Sequence, residues 1–187
     1  MKRKSINFNF SFRFIKRSSQ LIDYSTRDVE KFSKYYELTD GSLLEIRISD
    51  MAGQKKNDSD MHKTNYKEAD SYIIVYDIND KSTFKSCNEF IEAIKLTNSK
   101  KNVNLMLIGN KIDIKNKRQV TGKEGLKFAL KHNCQFFETS CVGNKNISEA
   151  FETLIKMTIK DINSIDLNEY NKIKSKEKER KDSCYSQ

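Results

Sequence analysis

The apolar residues of this chain fall into two patterns, short continuous runs and stripes at helical spacing. Continuous runs at residues 72–76 and 105–108 predict strands covered on both faces, and a third strand is predicted to begin at Gln135. Helical spacing predicts helices over 84–94, 126–132 and 147–162, and Thr121 with Glu124 predicts a capping box before the second of them. Strands that alternate with helices predict an α/β fold with a doubly wound, mostly parallel sheet and helices on both faces.

The first part of the chain has a less regular pattern. Residues 7–14 alternate between polar residues and phenylalanine, which predicts a half-buried strand, although Phe10 and Phe14 also fit one face of a helix. Residues 44–48 alternate as well and follow Asp40-Gly41, a hairpin signal, so they predict a strand paired with an antiparallel neighbour at the sheet edge. Helical periodicity ends near residue 164. We therefore predict one domain at 1–164 and a basic, disordered tail at 165–187.

Charge and cysteine content narrow the function classes. The 187 residues carry a net charge of +9, and much of the excess lies at the two ends of the chain. Terminal basic segments suit an anionic membrane better than a folded nucleic-acid groove, so we expect no nucleic-acid partner. The four cysteines form no CxxC pair, which argues against a zinc site or a disulfide framework. Cys87 and Cys134 are expected in the core, and His132 at the surface.

Three polar segments follow predicted strands. They are Asp50-Met51-Ala52-Gly53-Gln54, Asn110-Lys111-Ile112-Asp113 and Thr139-Ser140-Cys141-Val142. Ligands of doubly wound sheets bind at the carboxyl ends of the strands. We therefore expect these segments to converge on one edge of the sheet and to form a ligand site there.

In this order the three segments resemble the conserved motifs of Ras-superfamily GTPases. The sequence around these segments resembles that of the Rab branch. Residues 74–78 and 82–84 are similar to the "VYD…SF" segment of Rab proteins. Residues 138–140 and 148–151 are similar to their "ETSAK…EAF" segment. The resemblance spans roughly residues 10 to 162. It implies a Rab-like small GTPase that binds GTP or GDP with Mg2+, hydrolyses GTP and acts as a switch in vesicle-mediated protein transport.

The resemblance assigns the guanine base to the second and third segments. The carboxylate at Asp113 would accept hydrogen bonds from guanine N1 and N2, and Ser140 would steady it. The Asn110 position would brace the neighbouring loops, and the stem of Lys111 would cover the ring face. The backbone N–H of Cys141 would meet guanine O6. Val142 stands where the family usually has lysine, which thins the second cover over the base.

The same resemblance assigns the phosphates and the metal to the first segment. Asp50 would belong to the Mg2+ shell, the Gly53 N–H would meet the γ-phosphate, and Gln54 would orient the attacking water. Thr26 resembles the switch threonine that helps to hold Mg2+.

The phosphate-binding loop of the family is missing from the 187 residues. No segment matches GxxxxGK[ST], and no glycine precedes Gly41. Aligning Arg13-Phe14 with the end of the family's first helix puts the Lys-Ser position at Asn7-Phe8, which predicts that the first strand is missing as well. We expect the chain to bind GTP weakly or not at all and not to hydrolyse it. Two explanations stay open: a truncated gene model with an internal start, or a pseudo-GTPase that serves as a scaffold without hydrolysis.

The chain ends in Cys184-Tyr185-Ser186-Gln187, which resembles a C-a-a-X prenylation box behind a basic segment. A prenyl group together with basic residues would hold a protein stably on a membrane. The expected location is the cytoplasmic face of an intracellular membrane, in exchange with the cytosol. The expected partners of a monomer are guanine nucleotide and the effectors, exchange factors and escort or GDI-type proteins of the Rab family.

Overall fold

One six-stranded sheet organises the protein. The computed structural model describes residues 3–12, 30–37, 43–51, 69–98, 103–162 and 175. The strands are β1 (Arg3–Phe12), β2 (Glu30–Glu37), β3 (Leu43–Met51), β4 (Ser71–Asp77), β5 (Asn104–Asn110) and β6 (Gln135–Glu138). Their order in space is β2-β3-β1-β4-β5-β6. All neighbouring pairs are parallel except β2 with β3, which is antiparallel.

The order of the strands corrects one expectation. The first strand is not missing: β1 lies in the middle of the sheet, parallel to β3 on one side and β4 on the other. Asn7 and Phe8 lie within β1, paired with Arg47 and Ile48, so they do not stand at a phosphate loop. Phe8, Phe10 and Phe12 therefore belong to a strand, whereas Arg13 and Phe14 lie outside the described residues. The alignment that put the Lys-Ser position at Asn7-Phe8 was wrong.

Within the described residues, three α-helices pack on the sheet: α1 (Lys81–Thr97), α2 (Gly122–His132) and α3 (Ile147–Ile162). Successive residues of a strand point to opposite faces, so β4 and β5 contribute to two cores. Ile73 and Met106 pack with Leu154 of α3 on one face. Tyr72 and Leu107 pack on the other face in a cluster with residues of α1 and α2. The predicted doubly wound α/β fold is confirmed.

Local signals set where the helices begin. Asp80 caps α1 by accepting a hydrogen bond from the Ser82 N–H. The predicted capping box of Thr121 and Glu124 is present at the start of α2, which begins at Gly122. Within the described residues, no helix has both the length and the apolar character needed to cross a bilayer.

Candidate functional site

The carboxyl ends of β3, β4, β5 and β6 bring the described motif residues to one edge of the sheet. Asp50 lies one residue before the end of β3, beside Phe10 of β1. Asn110 ends β5, paired with Asp77 at the end of β4. Three strand spacings separate β3 from β5, or about 14 Å at about 4.8 Å each. The edge can therefore serve an elongated ligand that contacts β3 with one end and β5 with the other.

Asn110 joins the two segments that the sequence assigned to the base. Its side chain is buried, with 6% exposed. Oδ1 accepts a hydrogen bond from Thr139 Oγ1 at 3.2 Å, and Nδ2 donates to Cys141 Sγ at 3.7 Å. The backbone adds a hydrogen bond from the Thr139 N–H to Gly109 O at 2.9 Å. These contacts hold the loop after β6 against the end of β5.

Asp113 and Ser140 are in direct contact. Ser140 is buried, and its hydroxyl lies 2.5 Å from Asp113 Oδ1 and 2.8 Å from Val142 O. Asp113 itself is exposed, and its Oδ2 makes no hydrogen bond within the part of the chain that the structure describes. The carboxylate of an exposed residue is thus held through one oxygen, and the other has no hydrogen-bond partner among the described residues, an arrangement suited to accepting paired N–H donors.

Lys111 turns the chain away from β5. Its φ of 70° lies in the left-handed region. This backbone conformation is unfavourable for residues other than glycine and often marks a functional site. Its Nζ lies 2.7 Å from Asp77 Oδ2. Asp77 Oδ1 accepts from the backbone and side-chain N–H groups of Asn79, at 2.8 and 3.1 Å. The ends of β4 and β5 are therefore tied together by an ion pair that fixes the lysine.

The loop after β6 presents Cys141 and Val142 to solvent. Both are exposed, and Val142 is 73% exposed. The loop closes through paired backbone hydrogen bonds between Ser140 and Lys145, at 2.9 and 3.2 Å. Gly143 within it has φ 82°, which glycine adopts at little cost. The Cys141 backbone is thereby held beside Asn110, where its N–H can face a ligand.

Of the residues that the resemblance assigns to the phosphates and the metal, which we call the phosphate side, the structure describes only Asp50. Thr26, Gly53, Gln54 and Cys184 lie outside the described residues. The described residues contain no group of three or more His, Cys, Asp or Glu side chains that could hold a metal. Asp50 alone does not make a Mg2+ site. The described residues therefore do not by themselves fit the metal, and we derive no step through it.

Two residues that build the site, Asp77 and Asn146, were not predicted as site residues. Thr139 was predicted only as a member of the third polar segment, without a role of its own. Asn146 Nδ2 donates to Glu138 O at 2.8 Å and so ties the start of α3 to the end of β6. Asp77 and Thr139 stand at or just after the end of a strand, and that position was the available signal.

Comparison with known proteins agrees with this geometry. The sequence profile of the Ras family matches residues 8–160. The chain belongs to the Ras family. Among its relatives, Ras-related protein Rab-11B of Dictyostelium discoideum is 34% identical over 146 residues, covering 78% of this chain and 65% of that protein. Ras-related protein Rab-13 of Canis lupus familiaris is 32% identical over 135 residues, covering 72% of this chain and 62% of that protein.

The similarity extends beyond proteins named Rab. GTP-binding protein Rit2 of Mus musculus is 32% identical over 139 residues, covering 74% of this chain and 64% of that protein. The chain thus spans somewhat less than two thirds of the length of these three relatives. It is a Rab-like member of the Ras superfamily.

Proposed function

We propose that this chain is a Rab-like guanine-nucleotide module of membrane traffic that recognises its ligand mainly through the base. The observation that carries the proposal is the contact between Ser140 and Asp113, which holds an exposed carboxylate at the carboxyl edge of the sheet. Guanine presents two parallel N–H donors to such a carboxylate, whereas adenine presents an acceptor at N1. The base would be selected by these complementary hydrogen bonds.

Three neighbouring groups support recognition of the base. The Lys111 stem runs towards β4, where Asp77 holds its ammonium, so it can lie against a flat ring. Asn110 fixes the position of the Cys141 loop, whose backbone N–H can meet guanine O6. These groups bind and orient; none of them transfers a proton.

The phosphate side supports weak binding and no turnover. In strand–loop–helix phosphate sites the glycine-rich loop follows the first strand. The residues after β1, 13–29, contain no glycine. The backbone N–H groups and the lysine that bind β- and γ-phosphates are therefore not supplied by this part of the sequence. This favours the pseudo-GTPase explanation, and an in-frame upstream exon encoding GxxxxGKS would argue against it.

A titration of the 187-residue chain tests this division. Guanosine, GDP, GTP and adenosine would each be added to 15N-labelled protein while amide shifts of Asn110, Asp113 and Ser140 are followed by NMR. We expect guanosine and GTP to bind within about threefold of each other and adenosine at least about tenfold more weakly. Sub-micromolar GDP affinity, or equal binding of guanosine and adenosine, would contradict the proposal.

A second candidate is a scaffold of the same fold that uses no nucleotide. The exposed Val142, in place of the lysine usual in the family, favours it because the cover over the base is reduced. It predicts no shift with any nucleoside at millimolar concentration, so the same titration separates the two candidates.

Membrane traffic is the proposed setting. The relatives named Rab-11B and Rab-13 support it by similarity. We propose the cytoplasmic face of an intracellular membrane as the location. Attachment would come from prenylated Cys184 with the basic tail, and the partners would be Rab-type effectors, exchange factors and escort or GDI-type proteins.

A further inference from the structure

The solvent-exposed side of α2 carries a row of leucines beside a row of lysines. Leu126 is 48% exposed and Leu130 is 72% exposed, one helical turn apart. Lys123, Lys127 and Lys131 are also exposed and follow one another at the same spacing. Residues three apart on a helix are neighbours, so the lysine row lies beside the leucine row. We call these five residues the α2 leucine–lysine face.

The fold does not need this face. The opposite side of α2 packs on the sheet through Gly125, Ala129 and His132, all of which are buried. Leu126 and Leu130 therefore add little to the core and leave apolar surface in water.

The face is also uniformly positive. The three lysines repel one another along the helix, and none of them forms an ion pair with a described residue. The nearest acid on α2, Glu124, is engaged by the Thr121 cap and by Lys81 Nζ at 3.4 Å. A row of lysines without ion pairs beside exposed leucines is complementary to a binding partner that has both negative charge and apolar surface.

We propose that the α2 leucine–lysine face docks on an anionic membrane surface. The leucines enter the boundary between headgroups and acyl chains, while the lysine stems extend so that their ammonium groups reach the anionic headgroups. A second copy of the chain suits the face poorly, because two lysine rows would be brought together. The proposal rests on the proposed membrane association for its partner, but it needs neither nucleotide nor a lipid on Cys184.

The topology allows this contact together with the ligand edge. α2 connects the carboxyl end of β5 with the amino end of β6, so Leu130 and Lys131 lie near the amino edge of the sheet. α3 runs towards the same edge, where Thr158 is hydrogen-bonded to Ser71 at the start of β4. The carboxyl ends of α2 and α3 therefore lie towards the edge opposite the proposed base site, and in the sequence the basic tail continues from the end of α3.

Vesicle co-sedimentation tests the face with the full 187-residue chain carrying no lipid. The vesicles contain phosphatidylcholine alone or with about 30 mol% phosphatidylserine. The test variant is Lys123→Glu/Lys127→Glu/Lys131→Glu. The control, Lys85→Glu/Lys117→Glu/Lys160→Glu, changes net charge equally at exposed lysines on other elements. We expect the partition coefficient to fall about tenfold or more in the test variant and less than about threefold in the control.

A second variant tests the leucines at constant charge. Leu126→Ser/Leu130→Ser should lower partition to the anionic vesicles about tenfold, with an unchanged circular dichroism spectrum because both side chains are exposed. Equal losses in the two lysine variants, or no loss in the leucine variant, would overturn the proposal. Unchanged binding of all variants would also overturn it and leave a protein partner as the occupant. Guanosine binding should be the same in every variant, so failure here is separate from failure of the nucleotide proposal.

Discussion

At the scale of single residues, the candidate site depends on the hydrogen bonds of one hydroxyl group, that of Ser140. The Ser140 hydroxyl has one hydrogen and two acceptors, Asp113 Oδ1 and Val142 O. The shorter contact is the one to the carboxylate. Ser140 thus holds Asp113 in a fixed direction and links it to the loop that carries Cys141. The contact between Ser140 and Asp113, which the family resemblance implied, is present in the structure. The binding of guanine by Asp113 stays a prediction.

Replacing Asp113 by alanine should remove the base preference. The N1 and N2 donors of guanine would lose their acceptor, so guanosine should bind at least about tenfold more weakly and no better than adenosine. Since Asp113 is exposed, the fold should be unaffected. NMR titration measures the change, with Lys115→Ala as a control at a nearby exposed position. A variant that still prefers guanosine would show that Asp113 does not read the base.

His132 should make the protein less stable in mild acid. Contrary to expectation it is buried, its Nε2 has no described hydrogen-bond partner, and its ring stacks on Phe128 at 4.5 Å. Burial, and then the charges of Lys95 and Lys131, lower the pKa of His132 below 6.5. The unfolded chain therefore binds more protons as pH falls below about 6.5, and stability is lost in that range.

Urea unfolding measures this effect. The difference in midpoint between pH 7.5 and pH 5.5 should be larger for the wild type than for His132→Gln, because glutamine does not titrate. The charge of Glu92 raises the pKa of His132, and Glu92 is present in both proteins. Equal differences for the two proteins would argue against the assignment.

At the scale of elements, α2 joins the sheet through close contact with β4. A Cβ built on Gly125 would lie 2.5 Å from Tyr76 Oη and 2.6 Å from Phe136 Cζ. Tyr76 also packs against Phe84 of α1, with ring centroids 4.8 Å apart. Burial raises the pKa of Tyr76, so its hydroxyl stays neutral. The glycine allows the helix to approach the tyrosine.

Gly125→Ala should destabilise the protein by about 1–3 kcal/mol, because overpacking outweighs the better helix propensity of alanine. Gly122→Ala is the matched control. There an added Cβ would be 3.4 Å from a Glu138 carboxylate oxygen, an ordinary contact, so the change should be neutral or stabilising. Chemical unfolding of both variants measures the difference. Equal stability would show that the α2–β4 contact can relax.

At the scale of the whole molecule, the strand order decides which motifs meet. β1 separates β3 from β4, so Asp50 and Asn110 stand at opposite ends of the ligand edge. The base side is built by loops that follow β4, β5 and β6. The proposed membrane attachment through the tail does not depend on this edge and has a test of its own.

Cys184→Ser should move a tagged full-length chain from the membrane fraction to the cytosol. Prenylation needs the thiol, and without the lipid the basic segment and the α2 leucine–lysine face hold the protein only weakly on a membrane. Ser183→Ala is the matched control and should fractionate like the wild type. Unchanged membrane fractionation of the Cys184 variant would refute lipid attachment at this residue.

Some features followed from local sequence. The strands β4 and β5, the three helices and the α2 capping box were predicted, because periodicity and capping depend on residues a few positions apart. Cys87 and Cys134 were correctly expected in the core, where burial raises the pKa of Cys87 to about 12 and of Cys134 to about 11. The order of the motifs also named the family.

Other features were decided only by tertiary structure. The alternation at residues 7–14 predicted a strand, but the alignment through Arg13-Phe14 implied that the family's first strand was missing. The place of β1 between β3 and β4 depends on pairing with residues far away along the chain, which no local pattern identifies. His132 was expected at the surface, yet packing of α2 on the sheet buries it with Gly125 and Ala129. The pair of Lys111 with Asp77 exists because parallel strands bring their carboxyl ends together. The sequence by itself determined the elements and motifs through short-range spacing. Their assembly required long-range pairing, which depends on the whole sheet.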